Sequence, residues 1–206
     1  HFLSFKLQYT MVSLLKLKQY SFPEDQMSYN APSWNELERL TWSVAKQIKA
    51  ARFHPDYIVT LAKGGWPMTR SLADFIAVDN IASIGVKFYS GLNQKYDQPM
   101  IYQDLPIAVK GKKILIFDDV ADSGGSLQFM LGLLKKRRAK QIKTATLLYK
   151  PHSQFKPDFF AGVTSAWILF PFEKVEMGKL LTEKWQAKNL DQKEIKERCK
   201  KLGLIN

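Results

Sequence analysis

Cysteine, histidine and acidic side chains are all scarce in this chain. One cysteine, Cys199, stands among 206 residues, so no internal disulfide can form. That matches a reducing compartment, and a cytoplasmic location is expected. Cys199 falls in the charged run Lys193–Lys201, far from any glycine-rich loop. It reads as a surface or half-buried helix residue, not a nucleophile. No apolar run reaches the roughly 18 residues of a membrane span, so no membrane partner is expected. The opening His1–Tyr20 lacks an apolar core of signal-peptide type and an evident cleavage site. Met11 is read as the start of the chain proper, and residues 1–10 as a leader set aside from functional reasoning. Asp and Glu number 19 against 31 Lys and Arg, a net charge of +12. Such an excess fits nucleic acid, a membrane surface or a strongly anionic substrate. The lysines are spread along the chain, and only Lys135-Lys136-Arg137-Arg138 is a compact patch. It falls at the end of an expected helix, where cations complement the dipole. Charge alone therefore does not make nucleic acid the expected partner.

What is present is an ordinary core and a strict alternation of elements. Hydrophobic residues make up 46% of the chain, enough for one domain with an appendage. Ser33 and Glu36 form a capping box, and Trp34, Leu37, Leu40, Val44, Ile48 and Ala51 recur at helical spacing to about Arg52. Tyr57–Leu61 reads as a buried strand ending in Lys63-Gly64-Gly65, with Pro67 opening a helix to about Ala77. Ile81–Tyr89 is a strand. Ser90–Lys110 is polar and turn-rich, the composition of a flexible lid loop. Lys113–Phe117 is apolar on both faces, as a parallel sheet requires. A glycine turn leads to a helix from Leu127 to about Arg138. Ile142–Tyr149 and Val163–Leu169 read as the last two strands. The tail from Glu173 is helical, with a second cap at Asp191 and Glu194 and a stop at Gly203. The expected fold is α/β, a mainly parallel central sheet flanked by helices, with a helical C-terminal tail.

The chemistry concentrates in Ile114-Leu115-Ile116-Phe117-Asp118-Asp119-Val120-Ala121-Asp122-Ser123-Gly124-Gly125-Ser126. A buried strand runs into two acids at the carboxyl rim of the sheet, where ligands bind in open α/β folds. Asp122 to Ser126 then turn into a helix. Glycines let backbone amides close on an anion, hydroxyls add donors, and the helix N-terminus adds positive potential. The cradle suits a phosphate monoester, and the acids suit sugar hydroxyls or magnesium. Together they describe a ribose 5-phosphate. Each piece alone is ordinary turn and cap chemistry; their unbroken order is what carries the reading.

This segment resembles the phosphoribosyl pyrophosphate (PRPP) motif of type I phosphoribosyltransferases. Leu61-Ala62-Lys63-Gly64-Gly65 resembles the pyrophosphate loop of that family, in which the peptide at the Lys63–Gly64 position can be cis. The resemblance extends over Trp34–Glu173 and is nearest to bacterial and archaeal xanthine-guanine and hypoxanthine (6-oxopurine) enzymes. It implies that Asp118 and Asp119 bind the ribose hydroxyls, with Asp122, Ser123, Gly124, Gly125 and Ser126 around the 5-phosphate. It implies that Lys63, Gly64 and Gly65 hold pyrophosphate, and that Mg²⁺ is met by Asp118, Asp119 and Glu173. Asp122 would be the catalytic acid–base at purine N7. Lys150 would donate to the purine O6, and Trp167 and Ile168 would flank the base. The implied reaction is purine plus PRPP giving a nucleoside 5-monophosphate and pyrophosphate, in purine salvage. The implied partners are PRPP, a purine and copies of the same chain, as dimer or tetramer. Residues 11–173 would form the catalytic domain and 174–206 a helical extension. Two departures stand out: relatives commonly have Asp where Glu173 stands, and xanthine users often have a polar residue at Leu169. Hypoxanthine, guanine and xanthine are therefore not ranked. Two alternatives stay open, a PRPP-sensing nucleic-acid-binding regulator of the same fold and an enzyme for another base such as adenine.

Overall fold

The computed structural model describes residues 15–88 and 99–205. Two short strands come first, β1 (Gln19–Tyr20) and β2 (Tyr29–Asn30). Helix α1 (Trp34–Ala50) starts at the expected capping box. The Glu36 amide donates to Ser33 Oγ at 3.3 Å, and the Ser33 amide donates to the Glu36 carboxylate at 2.8 Å. Then follow β3 (Tyr57–Ala62), α2 (Trp66–Ile76), β4 (Ile81–Phe88), β5 (Pro99–Gln103), β6 (Lys113–Ala121) and α3 (Gly125–Lys136). The chain ends with β7 (Gln141–Tyr149), β8 (Phe159–Val163), β9 (Trp167–Ile168), α4 (Lys174–Gln186) and α5 (Gln192–Lys201).

Six strands form the central sheet in the order β5-β4-β3-β6-β7-β8. All neighbours are parallel except β5, which runs antiparallel to β4. Helices cover both faces, as the apolar strands demand. Leu115 and Phe117 of β6 join α1 and α2 in one core, and Ile114 and Ile116 join α3 in the other. The chain leaves β3 toward β4 on one side and returns with β6 on the other. Between β3 and β6 the strand order reverses, and this is where open α/β sheets bind ligands.

Three expectations are corrected. The lid segment Ser90–Lys110 is only partly a loop. Residues 90–98 lie outside the described residues, but Pro99–Gln103 is the edge strand β5, and Leu105 and Val109 are buried in the α3-side core. Pairing with β4 supplies backbone partners that turn-rich composition does not reveal. Val163–Leu169 is not one strand. It splits into the end of β8 and β9, which belongs to a separate three-stranded sheet, β1-β2-β9. Thr164 makes the break: its hydroxyl donates to Asn30 Oδ1 at 2.6 Å and accepts from the Ala166 amide at 3.0 Å. Cys199 is not on the surface. It is buried with Phe22, Tyr29, Leu169, Leu181 and Trp185 in a third core, where α4 and α5 pack on the small sheet.

Asp25 anchors that third core. Its side chain is fully buried and accepts from the Tyr29 hydroxyl at 2.6 Å, Trp185 Nε1 at 2.9 Å and Lys188 Nζ at 2.9 Å. Burial alone would raise its pKa. The hydrogen bonds from Lys188, Tyr29, Trp185 and Lys184 outweigh that and hold the carboxyl well below the usual range. Among the described residues, no helix is long and apolar enough to cross a membrane.

Candidate functional site

Strand β6 is longer than its apolar run. It continues through Asp118 and Asp119 to Ala121, so the two acids are strand residues in register with β7, Asp118 facing Thr146. Alternation then puts Asp118 and Asp119 on opposite faces. Asp119 is 9% exposed. Burial is the main force raising the pKa of both carboxyls; mutual repulsion adds to it for Asp118, and the Glu173 charge adds to it for Asp119. Both acids are thus short of a positive partner.

The β3–α2 loop meets β6 at this point. Strand β3 pairs with β6 up to Thr60 opposite Phe117, so residues 63–65 lie beside the acid pair. A Cβ on Gly64 would come within 2.6 Å of the Asp119 carboxylate, and one on Gly65 within 2.8 Å of the Phe117 carbonyl. Only glycine permits this approach. The peptide Ala62–Lys63 is cis, one bond before the expected position. Lys63 is exposed. Its charge acts on Glu173 against burial and Glu176, which together raise the Glu173 pKa. Glu173 sits at the N-cap of α4 without capping it through its side chain.

Beyond β6 the chain turns at Gly124, whose φ of 86° is left-handed. A Cβ there would strike Phe155 Cβ at 2.6 Å, so the turn needs glycine on two counts. The 150–155 turn supports it from behind: the Gln154 amide donates to the Ser123 carbonyl at 3.0 Å. Ser123 Oγ accepts from the Gly125 amide at 3.3 Å. Helix α3 opens with no side-chain cap, as does α2 at Gly65, whereas α1 and α5 are capped by Ser33 and Asp191. Two uncapped N-termini at one sheet edge leave amide donors for anions.

Lys150 follows β7 directly and is 7% exposed. Its amide donates to the Ala121 carbonyl at 3.0 Å, and its ammonium donates to the Ala166 carbonyl. Burial lowers its pKa, opposed by the Asp122 charge. Trp167 and Ile168 continue from Ala166 on β9. Trp167 is 42% exposed, so it is not the core tryptophan its apolar neighbours allow; Ile168 is buried and its side chain packs in the α1 core.

One contact is not foreseen by any motif. His152 Nε2 lies 2.9 Å from Asp122 Oδ1. The pair bridges the β6–α3 turn and the 150–155 turn. The signal available was modest: one of only three histidines, two residues after the lysine already singled out.

Most of the expected residues thus gather at the carboxyl ends of β3, β6 and β7, whereas Trp167 stands on β9 of the small sheet and the Ile168 side chain is turned into the α1 core. Asp118, Asp119, Lys63, Gly64, Gly65 and Glu173 form one group, and Asp122, Lys150 and His152 a second. Residues 123–126 close the turn beside the second group, and Trp167 follows Ala166 next to the Lys150 ammonium.

Comparison with known proteins agrees with this geometry. A family model described as a phosphoribosyl transferase domain matches residues 28–173. The chain is 33% identical over 135 residues to a hypoxanthine-guanine phosphoribosyltransferase from Bos taurus, a match covering 59% of this chain and 61% of that protein. It therefore spans about three-fifths of that relative's length. A purine phosphoribosyltransferase from Pyrococcus horikoshii superposes with a TM-score of 0.62 at 31% identity, covering 70% of this chain and 91% of that one. A xanthine-guanine-hypoxanthine phosphoribosyltransferase from Helicobacter pylori shares the fold, with a TM-score of 0.62 at 23% identity over 76% of this chain and 99% of that one. By the span of the domain match and the placement of its motif at the β6–α3 turn, the chain belongs to the phosphoribosyl transferase family.

Proposed function

We propose that this protein transfers the 5-phosphoribosyl group from PRPP to N9 of a 6-oxopurine base, releasing pyrophosphate. The observation that carries the reading is the convergence of three binding chemistries around the carboxyl ends of β6 and β7, with β9 beside them. An uncapped helix start at residues 123–126 suits a phosphate. A buried Asp119 with a half-buried Asp118 beside it suits a ribose diol. A buried lysine beside an exposed tryptophan suits a flat carbonyl-bearing base. The hypoxanthine-guanine relatives support the choice of base.

In this mechanism the C1–O bond to pyrophosphate breaks as the C1–N9 bond forms, through a cationic ribosyl transition state. The protein's task is positioning and charge stabilisation. Amides of residues 123–126 fix the 5-phosphate, and Asp118 and Asp119 orient the ribose hydroxyls. Lys63 and the glycines beside it receive the departing pyrophosphate. Lys150 donates to the purine O6; an ammonium has donors only, so it disfavours the amine of adenine. Asp122 takes the N7 proton as general base, and His152 holds its carboxylate in place. Trp167 stacks on the base.

Magnesium fits these residues. Among the described residues no three metal-binding side chains converge, and Mg²⁺ commonly uses one or two carboxylates together with substrate oxygens. One or two of Asp118, Asp119 and Glu173, none of which enters an ion pair among the described residues, would hold it together with oxygens of PRPP. When bound, it supplies charge neutralisation for the pyrophosphate leaving group.

The test is Asp122→Asn. Turnover should fall by about 10²- to 10⁴-fold, the usual loss for a general base, while PRPP binding by calorimetry stays near the wild-type value. Wild-type turnover in the variant would remove Asp122 from the mechanism.

A further inference from the structure

A second cavity lies behind the base-binding segment. It has a volume of about 300 Å³ and is bounded by the start of α1, the 169–174 connection and the end of α5. Its floor is apolar: Leu169 and Leu202 are 3% and 4% exposed and belong to the third core. Its rim carries Lys174, Lys200 and Lys201. Among the described residues none of the three enters an ion pair. Lys200 and Lys201 complement the α5 dipole, but the last carbonyls of that helix are already satisfied by the amides of Leu202, Gly203 and Leu204. Trp34, at the mouth, is 52% exposed. Among the described residues its one aromatic partner is Phe172, at 6.1 Å and a tilt of 52°. The helix does not need it there, because the core face of α1 is built from Leu37, Leu40, Val44 and Ile48. Glu36, the acid at this end, is turned into the capping box.

We propose that this cavity is a second ligand site, for a nucleoside diphosphate. An exposed indole over an apolar floor suits a flat heterocycle. Three ammonium groups with no carboxylate partner among the described residues, one of them (Lys201) 5.6 Å over the Phe22 ring, suit the roughly three negative charges of a diphosphate. The volume lies at the small end of ligand cavities, roughly 300–1,000 Å³, which fits one nucleotide and not a polymer. The position gives the site a consequence. Leu169 and Pro171 line this cavity, while Trp167 and Glu173 on the same stretch belong to the catalytic edge. An occupant therefore grips the base-binding segment from behind. That consequence rests on the proposed reaction; the binding itself does not.

The probe is ADP, neither substrate nor product of the proposed transfer, titrated calorimetrically into the full chain saturated with PRPP–Mg²⁺. Expected is one ADP per chain. The double variant Lys200→Ala/Lys201→Ala should weaken it by about tenfold or more, the scale of lost charge-assisted contacts. Trp34→Ala should weaken it too, and Trp34→Phe should retain it. Lys135→Ala/Lys136→Ala removes equal charge elsewhere and should change affinity by less than about twofold, as diffuse screening predicts. The site is overturned if ADP does not bind, if both lysine pairs matter equally, or if inorganic pyrophosphate binds as tightly as ADP. Displacement of ADP by PRPP–Mg²⁺ would also overturn it by assigning the binding to the catalytic edge. A separate PRPP titration keeps the two readings apart: if PRPP itself fails to bind, the catalytic reading falls and ADP is titrated alone.

Discussion

His152 Nε2 and Asp122 Oδ1 stand 2.9 Å apart across two turns, and both side chains are more than 60% exposed. The contact ties the proposed general base to the turn that also supports Gly124. Replacing His152 with Ala should lower kcat by only about two- to fivefold, the scale of an exposed ion pair. Replacement with Gln, which keeps a donor, should restore most of the rate. An unchanged rate in His152→Ala would make the contact incidental.

The acid pair costs the free protein stability. Burial and the Glu173 charge push the Asp119 pKa up to about 7, from about 4 in an unfolded chain. A raised native pKa favours the fold most below the unfolded value, and that favour is lost as pH rises through the native one. Asp119→Asn should therefore raise the stability of the ligand-free protein at pH 8 by about 1–4 kcal/mol, the range seen when buried ionic groups are replaced. It should gain little at pH 4 and should weaken PRPP binding. Denaturant melts at both pH values check this; equal gains would contradict it.

Gly64 has no room for a methyl group. A Cβ would lie 2.6–2.8 Å from the Asp119 carboxylate, so Gly64→Ala should displace the carboxylate and cut kcat/KM by an order of magnitude or more, about what a 1 Å misplacement costs. Gly132→Ala, which meets nothing within 4 Å on the outer turn of α3, is the control and should keep full activity. A fully active Gly64→Ala would show that the β3–α2 loop stands clear of the acid pair.

Asp25 is the C-terminal anchor. Asp25→Ala leaves the Tyr29 and Trp185 donors without their acceptor, while the partly exposed Lys188 ammonium keeps the Glu24 carbonyl, and should cost about 1–3 kcal/mol, the scale of leaving buried polar groups unpaired. Its depressed pKa means this stability is present above the ordinary carboxylate range and is lost as pH falls toward the native value. Urea midpoints at pH 7 and pH 3 should differ less in the variant than in the wild type. An unchanged midpoint at pH 7 would mean that α4 and α5 are held by the apolar core alone.

Local chemistry was legible in the sequence; long-range pairing was not. Ser33 with Glu36 and Pro67 after two glycines encode their structure within a few residues and are found where expected, and the Ile114–Ser126 run gives strand, turn and helix in order, with the strand carried on to Ala121 and the helix begun at Gly125. The β5 strand is not encoded this way, because Pro99–Gln103 becomes a strand only by pairing with β4. Nor is the split at Thr164, which depends on Asn30, far earlier in the chain. In the site, residues on the strand–turn–helix motif could be named outright. His152 could not, since it reaches Asp122 only after β7 has brought the 150–155 turn beside β6.

The most direct test of the account is pyrophosphate release from PRPP and Mg²⁺ with hypoxanthine, guanine, xanthine and adenine offered separately. The account predicts release with at least one 6-oxopurine, matched one to one by its nucleoside 5-monophosphate, and little with adenine. Release with adenine alone would contradict the role given to Lys150. PRPP binding without release for any base would contradict the transfer itself, leaving a PRPP-binding protein that performs no transfer.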